Sequence, residues 1–294
     1  MKRPEPLRRA WSRGARHLVM GGVAVSFLLP IWWVVVMSLR PTGRPPSTSI
    51  EWWPGSPAWE NYRRLFELVP LLRQTGNSLL VGLAAVPLTL ITASLAGYAM
   101  ANVGAQLRKR LVTGTLLLML VPVTALWLTR FAIFKQLGLM NSPLALILPA
   151  LSGTNPFYIL LFYWTFRRIP HEVFEAARLD GAGHGRIWAR IALPLARPTM
   201  VTVSVLTFSF YWSDLISPLL YLKSETRYTL PVGLSALQQM DITDGPLVMA
   251  GAVVALLPIV LMFLVAHRFF WPDEMLMKPL GIAQDSGGAD NQDT

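Results

Sequence analysis

Cysteine is absent from the 294-residue chain. This absence excludes disulfide scaffolds, thiolate metal sites and cysteine nucleophiles, so the cellular compartment has to be argued from other features. Charged residues are also scarce, at 14% of the chain, whereas hydrophobic residues make up 53%. A soluble globular fold would leave too much apolar surface unexplained, and a lipid bilayer accounts for it directly.

Sequence motifs of several protein classes are missing as well. No Gly-rich loop ends in Gly-Lys-Ser or Gly-Lys-Thr, so the chain does not bind ATP by that mechanism. The histidines never form a His-Glu-x-x-His pair, which argues against a metalloprotease. The net charge of +10 comes from Lys and Arg in short segments between apolar runs, which argues against nucleic acid as a partner. We therefore predict no catalytic, cofactor or metal site.

Long apolar runs dominate what is present. A helix that crosses about 30 Å of hydrocarbon needs roughly 20 mostly apolar residues. We predict an all-α integral membrane protein with six transmembrane helices, at residues 18–38, 77–102, 111–129, 144–166, 199–220 and 247–266. The first run follows a basic segment, as in a signal peptide, but it reaches Arg40-Pro41 without a small-residue cleavage site. We expect it to be retained as a span.

The distribution of Lys and Arg predicts the orientation. Seventeen basic residues fall on the side of the two termini and nine on the other side, although the two sides have similar total length. Because positively charged loops stay in the cytoplasm, we expect both termini there. The chain then consists of a basic cytoplasmic tail at 1–17, one membrane domain at 18–272 and a cytoplasmic tail at 273–294. The polar composition of the last tail favours partial disorder.

The external segment after the first span is rich in tryptophan and proline, at Trp52, Trp53, Pro54, Pro57 and Trp59. Aromatic rings are enriched at the level of the lipid headgroups, so contact with membrane lipid is the simpler interpretation. Contact with an external protein is the alternative.

Ionisable residues are almost missing from the predicted spans, where Asp214 is the only one. Carriers that move protons or sodium keep such groups because their mechanism needs them. A single carboxylate favours an energy source outside the membrane, and an ion-coupled secondary transporter is the alternative.

Two sequence stretches predict interrupted helices. Asp214 follows Tyr211, Trp212 and Ser213, and Pro218 one turn later is expected to kink the helix. Residues 152–156 (Ser-Gly-Thr-Asn-Pro) form a similar break that includes Asn155. Interrupted helices can line a cavity, so these residues are candidates for a translocation path. Pairing of Asp214 with a neighbouring helix, and packing roles for Pro and Gly, are the alternatives.

The cytoplasmic stretch 167–194 between spans 4 and 5 predicts a helix, a turn and a second helix. Pro170 suits the start of the first helix, and Glu172 and Glu175 suit its positive end. Ala176 and Ala177 leave a shallow surface, and the glycines that follow permit a sharp reversal. Such a projecting element suits docking to another protein, and a solvated loop is the alternative.

The spacing within this stretch resembles the signature loop of binding-protein-dependent ABC importer permeases. The matching positions are Glu175, Ala176, Ala177, Asp180, Gly181, Trp188, Ile191, Leu193 and Pro194. In that family the loop forms a coupling helix that sits in a groove of a cytoplasmic ATPase subunit. The resemblance implies that Glu175, Ala176, Ala177, Asp180, Gly181, Gly183, Ile191, Leu193 and Pro194 form the ATPase-docking segment.

Weaker matches are similar to the carbohydrate-importer branch, in particular its maltose-type second permease. They comprise Asn61-Tyr62, Asn77-Ser78, residues 137–142 and residues 229–234. The chain departs from that branch at Ser213, where family members often carry Asn, and along residues 270–278.

The resemblance also implies the partners. We expect a related second permease in a heterodimer, two cytoplasmic ATPase subunits that bind the ATP, an external sugar-binding protein and a bacterial or archaeal plasma membrane. This chain would be a transport subunit and not an enzyme. An intramembrane serine protease that uses Ser152 and His267 is an alternative. It is a remote one, because Ser152 lacks the upstream glycine and the two residues are expected near opposite faces of the membrane.

Overall fold

The computed structural model describes residues 5–43, 52–237 and 244–270, with side chains from 17 to 266 within these ranges. The described residues form helices joined by short connections and contain no strand, which confirms the all-α prediction. In chain order the α-helices are α1 (Glu5–Ser38), α2 (Glu60–Leu68), α3 (Leu71–Asn102), α4 (Ala105–Leu118), α5 (Val123–Gln136), α6 (Pro143–Ile147), α7 (Pro156–Arg167), α8 (His171–Leu179), α9 (His184–Ile187), α10 (Leu193–Leu195), α11 (Arg197–Ser213), α12 (Ile216–Tyr221), α13 (Leu230–Leu237) and α14 (Gly245–Phe270).

Three of these helices are long and apolar enough to cross a bilayer alone: α3, and the parts of α1 and α14 at His17–Ser38 and Gly245–Ala266. Three further spans arise only if two helices on either side of a sharp bend count as one crossing, and the total then reaches six. The apolar helices fit a multi-pass membrane protein, whereas the count of six stays a prediction. Helix α1 begins at Glu5, so it includes most of the segment predicted as the basic N-terminal tail. The predicted C-terminal tail lies outside the described residues.

The prediction of one continuous helix over 111–129 is wrong. Helix α4 ends at Leu118, α5 begins at Val123, and the chain changes direction by 89° between them. Pro122 explains the break, because it has no N–H to donate and its ring clashes with the carbonyl of a preceding helical turn.

The two predicted interruptions are present, but the break near Asp214 does not lie at Pro218. The 3₁₀ segment Leu148–Ser152 is followed by Gly153 and Thr154 in left-handed conformations before α7 begins. Helix α11 ends at Ser213, and the backbone of Asp214 is extended. Pro218, expected to cause the kink, instead lies inside α12. The break therefore occurs at Asp214 itself.

Helix α3 is the central helix and packs along both α7 and α11. At its crossing with α7, a Cβ atom on Gly97 would lie 2.7 Å from the Phe162 Cβ and 2.8 Å from the Tyr163 backbone nitrogen. Backbone atoms cannot swing aside, so the crossing requires glycine. This close contact fixes α7, whose end leads directly into α8.

Asparagine side chains hold the connections on the predicted outer side. Asn61 donates hydrogen bonds to the carbonyl oxygens of Ser38 (2.8 Å) and Arg40 (2.7 Å), and Asn77 donates to those of Thr226 (3.0 Å) and Tyr228 (2.9 Å). Two of the positions that resemble the carbohydrate-importer branch therefore satisfy loop backbone groups that would otherwise lack partners.

Asn141 joins the loop before α6 to the segment after α12. Its backbone N–H donates to the Tyr221 carbonyl (2.7 Å) and its side-chain amide donates to the Ser224 hydroxyl (2.7 Å). Its side-chain carbonyl oxygen accepts from the backbone N–H groups of Lys223 (3.0 Å) and Ser224 (3.1 Å). The left-handed backbone of Asn141, with φ 58°, makes this arrangement possible in a residue type that tolerates it.

The tryptophan-rich segment folds back onto the end of α1. Trp53 stacks on Trp32 with ring centroids 5.6 Å apart, and Trp52 meets Trp33 edge-on at 6.2 Å. Trp52 and Trp53 are nevertheless exposed, as is Trp59. Lipid contact and contact with an external protein both stay predictions.

Candidate functional site

Helix α8 ends in a hydrogen-bonded reversal of the chain. The Gly181 N–H donates to the Arg178 carbonyl (3.0 Å), and the Ala182 N–H donates to the Ala177 carbonyl (2.9 Å). This is the Schellman pattern, which needs a left-handed residue directly after the helix cap. Gly181 supplies it with φ 77°. The predicted role of Gly181 in ending this helix is confirmed.

Helix α8 rests on the ends of α3 and α7. Phe174 is buried and meets Tyr98 edge-on at 6.1 Å, and Tyr98 in turn meets Phe166 edge-on at 5.9 Å. The Arg178 guanidinium also donates to the Asn102 side-chain oxygen at 3.4 Å. Aromatic packing of this kind holds α8 against the membrane helices, so the two are expected to move as one body.

The second helix of the segment comprises α9, a π-helical stretch at Trp188–Ala192, and α10. The Trp188 indole N–H donates to the Ser94 hydroxyl at 3.3 Å, which ties this helix to α3 as well. Pro194 lies in α10, one residue before this helix ends at Leu195. The widened π turn just before it fits a proline, whose ring would clash with a regular helical turn. The chain then turns by 83° into α11.

The predicted docking residues divide into an exposed and an inward group. Ala177 is only 8% exposed and packs into the chain's own core, and Ile191 packs against the same core. These two positions anchor the segment. The exposed group comprises Glu175, Ala176, Asp180, Gly181, Gly183 and Pro194, with Leu193 half-buried.

Leu179 is an exposed apolar residue that sequence reasoning missed. It lies in the last turn of α8 and its side chain is 90% exposed. Its neighbours Asp180 and Gly181 are exposed too, and a Cβ on Gly181 would meet nothing within 4 Å. The end of α8 is therefore a small apolar projection with open space around it. Its position two residues before Gly181, the first of the glycines expected to reverse the chain, was the available signal.

A cavity of about 350 Å³ lies around the break between α11 and α12. This volume is at the lower end of the range of small-molecule sites, roughly 300–1,000 Å³. Three of the predicted path residues, Tyr211, Ser213 and Asp214, line it, and the assignment of this cavity to a translocation path stays a prediction. Its other lining residues are Val123, Trp127, Arg130, Ala145, Leu146, Pro149, Thr154, Phe210, Leu215, Ile216, Ser217 and Tyr221.

Local hydrogen bonds fix the polar part of the cavity wall. One Asp214 carboxylate oxygen accepts from the Ser217 backbone N–H at 3.1 Å, which caps the first turn of α12. The Thr154 hydroxyl bonds with the Thr89 hydroxyl at 2.6 Å and lies 3.4 Å from that of Tyr211. Asp214, whose backbone is extended between α11 and α12, thus presents its carboxylate at the cavity.

Two predicted path residues lie elsewhere. Trp212 is 2% exposed, stacks on Phe208 and donates its indole N–H to the Ala255 carbonyl at 3.0 Å, so it joins α11 to α14. Asn155 caps α7 by accepting from the Phe157 N–H at 2.9 Å, and Thr154 lines the cavity in its place. Trp212 lies on the opposite face of α11 from the cavity, and its place in a translocation path stays a prediction.

Arg130 is the positively charged residue of the cavity lining, and the sequence analysis places it in an external loop. Val123, Trp127 and Arg130 follow one another at the i, i+4, i+7 spacing of a single helix face and all line the cavity. The sharp bend before α5 turns this face toward Asp214. The helix-starting proline at 122 was the signal that could have found it.

Comparison with known proteins identifies relatives along most of the chain. Residues 82–271 match the profile of a family described as "Binding-protein-dependent transport system inner membrane component". The trehalose transport system permease protein SugB of Mycobacterium tuberculosis is 29% identical over 82% of this chain and 88% of its own length. The lactose transport system permease protein LacG of Rhizobium radiobacter is 29% identical over 90% of this chain and 95% of its own length.

A solved structure shares the fold. A chain of a bacterial ABC transporter involved in the import of the acidic polysaccharide alginate superposes with a TM-score of 0.69 at 21% identity. The superposition covers 92% of this chain and all of the other. Because the family profile matches more than half of the sequence and the helical fold agrees with it, this chain belongs to the family of binding-protein-dependent transport system inner membrane components.

Proposed function

We propose that the chain is a permease subunit of an ATP-driven sugar importer and forms half of its translocation path. The observation that carries this is the exposed end of α8, an apolar and glycine-containing projection of a helix that packs on α3 through the buried Phe174. The chain has no phosphate-binding Gly-Lys-Ser/Thr motif of its own, so force has to come from a separate nucleotide-binding protein.

Sugar is the substrate class that the relatives favour. Relatives that match over most of the chain are named for transport of trehalose, lactose and arabinooligosaccharides. The cavity has the mixed polar and aromatic lining that suits a hydroxylated ligand, with Trp127 and Tyr211 beside Asp214. An ion-coupled carrier and an intramembrane protease gain no support from these relatives.

The assembly we infer contains a related second permease, two ATPase subunits that bind the ATP, and an external sugar-binding protein. One fold neighbour was solved as a transporter in complex with a pentasaccharide-bound periplasmic protein, which supports an external partner of this kind. With both termini cytoplasmic in a bacterial or archaeal plasma membrane, α8 faces the ATPases. Closure of the ATPases then moves α8 with α3 and α7 and switches the cavity between outward and inward access.

Reconstitution of the whole assembly tests this function. Proteoliposomes that contain both permeases and the ATPases, supplied with the binding protein and a labelled sugar panel, should take up sugar only when ATP is enclosed. Uptake that follows a proton or sodium gradient without ATP would contradict the proposal.

A glycine pair tests the docking role of α8. Gly181 and Gly43 have nearly equal backbone angles, φ 77° and 79°, and a Cβ would meet nothing within 4 Å at either position. They lie on opposite sides of the membrane in the predicted topology. Gly181→Asp should abolish copurification of the ATPases, whereas Gly43→Asp, which imposes the same backbone strain, should not. Equal behaviour of the two variants would count against docking at α8.

A further inference from the structure

Arg130 stands out among the polar residues of the cavity. It lies half-buried on α5, and within the described part of the chain no carboxylate approaches its guanidinium to within 4 Å. No hydrogen bond joins it to another described residue either. An arginine has five N–H donors and retains its charge, so a partly desolvated one gains free energy from a hydrogen-bond acceptor. Its N–H donors are therefore available to a ligand.

Asp214 is the only carboxylate that lines the same cavity. One of its oxygens accepts from the Ser217 N–H, and this bond fixes the carboxylate while leaving it further acceptor capacity. Several hydroxyl groups nearby are already used: Ser213 donates to the Ser209 carbonyl at 2.8 Å, Tyr221 donates to the Trp127 carbonyl at 3.3 Å, and Thr154 bonds to Thr89. The two charged residues, together with the Ser217 hydroxyl, therefore offer hydrogen-bonding capacity to a ligand in this cavity.

We propose that Arg130 and Asp214 are the specificity-determining contacts of this permease and that they select a neutral sugar over an acidic one. This inference rests on the proposed function. A neutral sugar satisfies both residues at once, because its oxygens accept from the guanidinium and a hydroxyl donates to the carboxylate. A ligand with its own carboxylate would pair with Arg130 but bring a like charge toward Asp214.

The walls between the two charges fit the same ligand. Trp127, Phe210 and Tyr211 line the cavity beside Arg130 and Asp214 and offer apolar ring surface. A sugar ring carries C–H groups on its faces and hydroxyls on its rim. Its faces can therefore pack against aromatic rings while its hydroxyls bind Arg130 and Asp214.

The test uses the complete reconstituted importer with binding protein and enclosed ATP. The neutral probes are trehalose, lactose, maltose and cellobiose, and the acidic probes are lactobionate, maltobionate and cellobionate. Arg130→Gln and Asp214→Asn should each lower kcat/KM for the neutral sugar by roughly 10- to 100-fold, since each removes a charge-assisted hydrogen bond. Lys135→Gln removes a positive charge from an exposed position on the same helix, away from the cavity, and should stay within twofold of wild type.

The double variant separates ligand contact from a mutual ion pair. If each residue contacts the sugar, Arg130→Gln with Asp214→Asn loses more activity than either single change. If the two merely pair with each other in another conformation, the double change regains activity, and the proposal is overturned. Arg130→Lys, which keeps the charge but loses the planar fork, should show an intermediate loss and serves if the glutamine variant fails to assemble.

Two further results would overturn the inference. An Arg130→Gln importer within twofold of wild type, or a wild type that prefers the acidic probes, contradicts it while the proposed function stands. A wild-type assembly that shows no ATP-dependent uptake of any probe contradicts the proposed function itself, and the inference with it.

Discussion

Replacement of Leu179 by alanine tests the docking surface through a residue that contributes little to its own fold. The side chain is 90% exposed in the isolated chain, so its truncation should change the free energy of unfolding by no more than about 0.5 kcal/mol. If α8 docks in a groove of an ATPase, that side chain becomes buried in the complex. The change then shows in association and not in stability.

The magnitude follows from the apolar surface at stake. Full burial of a leucine is worth about 1.5–3 kcal/mol, and alanine retains part of that contact. Leu179→Ala should therefore weaken ATPase binding by about 1–2 kcal/mol, which is roughly 5- to 30-fold in Kd. Titration of labelled ATPase against the purified permease pair in lipid nanodiscs measures this change.

A matched substitution provides the control. Leu72 is 81% exposed at the start of α3, on the opposite side in the predicted topology, so Leu72→Ala should leave ATPase affinity unchanged. Equal ATPase affinity of the Leu179→Ala, Leu72→Ala and unmodified proteins would refute docking at the end of α8.

Two further predictions concern the scaffold. Gly97→Ala should lower the free energy of unfolding by about 1–3 kcal/mol, because its Cβ would overlap backbone atoms of α7. Gly104→Ala has open space around its Cβ and should leave the free energy of unfolding unchanged. The melting temperatures of the two variants in detergent test this difference. Asn141→Ala removes the side-chain hydrogen bonds that hold Lys223 and Ser224, so the amides of these two residues should exchange faster in deuterium, and unchanged exchange there would contradict the assigned role.

The apolar runs predicted the helices well but could not predict their bends. Hydropathy reports whether a residue suits lipid but not where a helix bends, so it predicts one helix over 111–129 across Pro122 and places Arg130 in the loop that follows. A proline inside an apolar run marks a possible helix start, and numbering the helix from it gives the i, i+4, i+7 face that the structure has.

The reversal after α8 was predictable from glycine spacing, whereas the orientation of α8 was not predicted. Gly181 takes the left-handed conformation that the reversal needs. Ala177 was assigned to the docking face with Ala176, yet it is buried three residues after the buried Phe174. Residues three apart share a helix face, so a buried Phe174 predicts that Ala177 is buried as well.

The side of the membrane on which α8 lies is the most direct test of the whole account. The natural chain has no cysteine, so Ala176→Cys gives a single thiol at an exposed position on this helix. A membrane-impermeant maleimide should label it in inside-out vesicles, should fail to label it in intact cells, and should be blocked when the ATPase is bound. Labelling from outside intact cells would contradict the account.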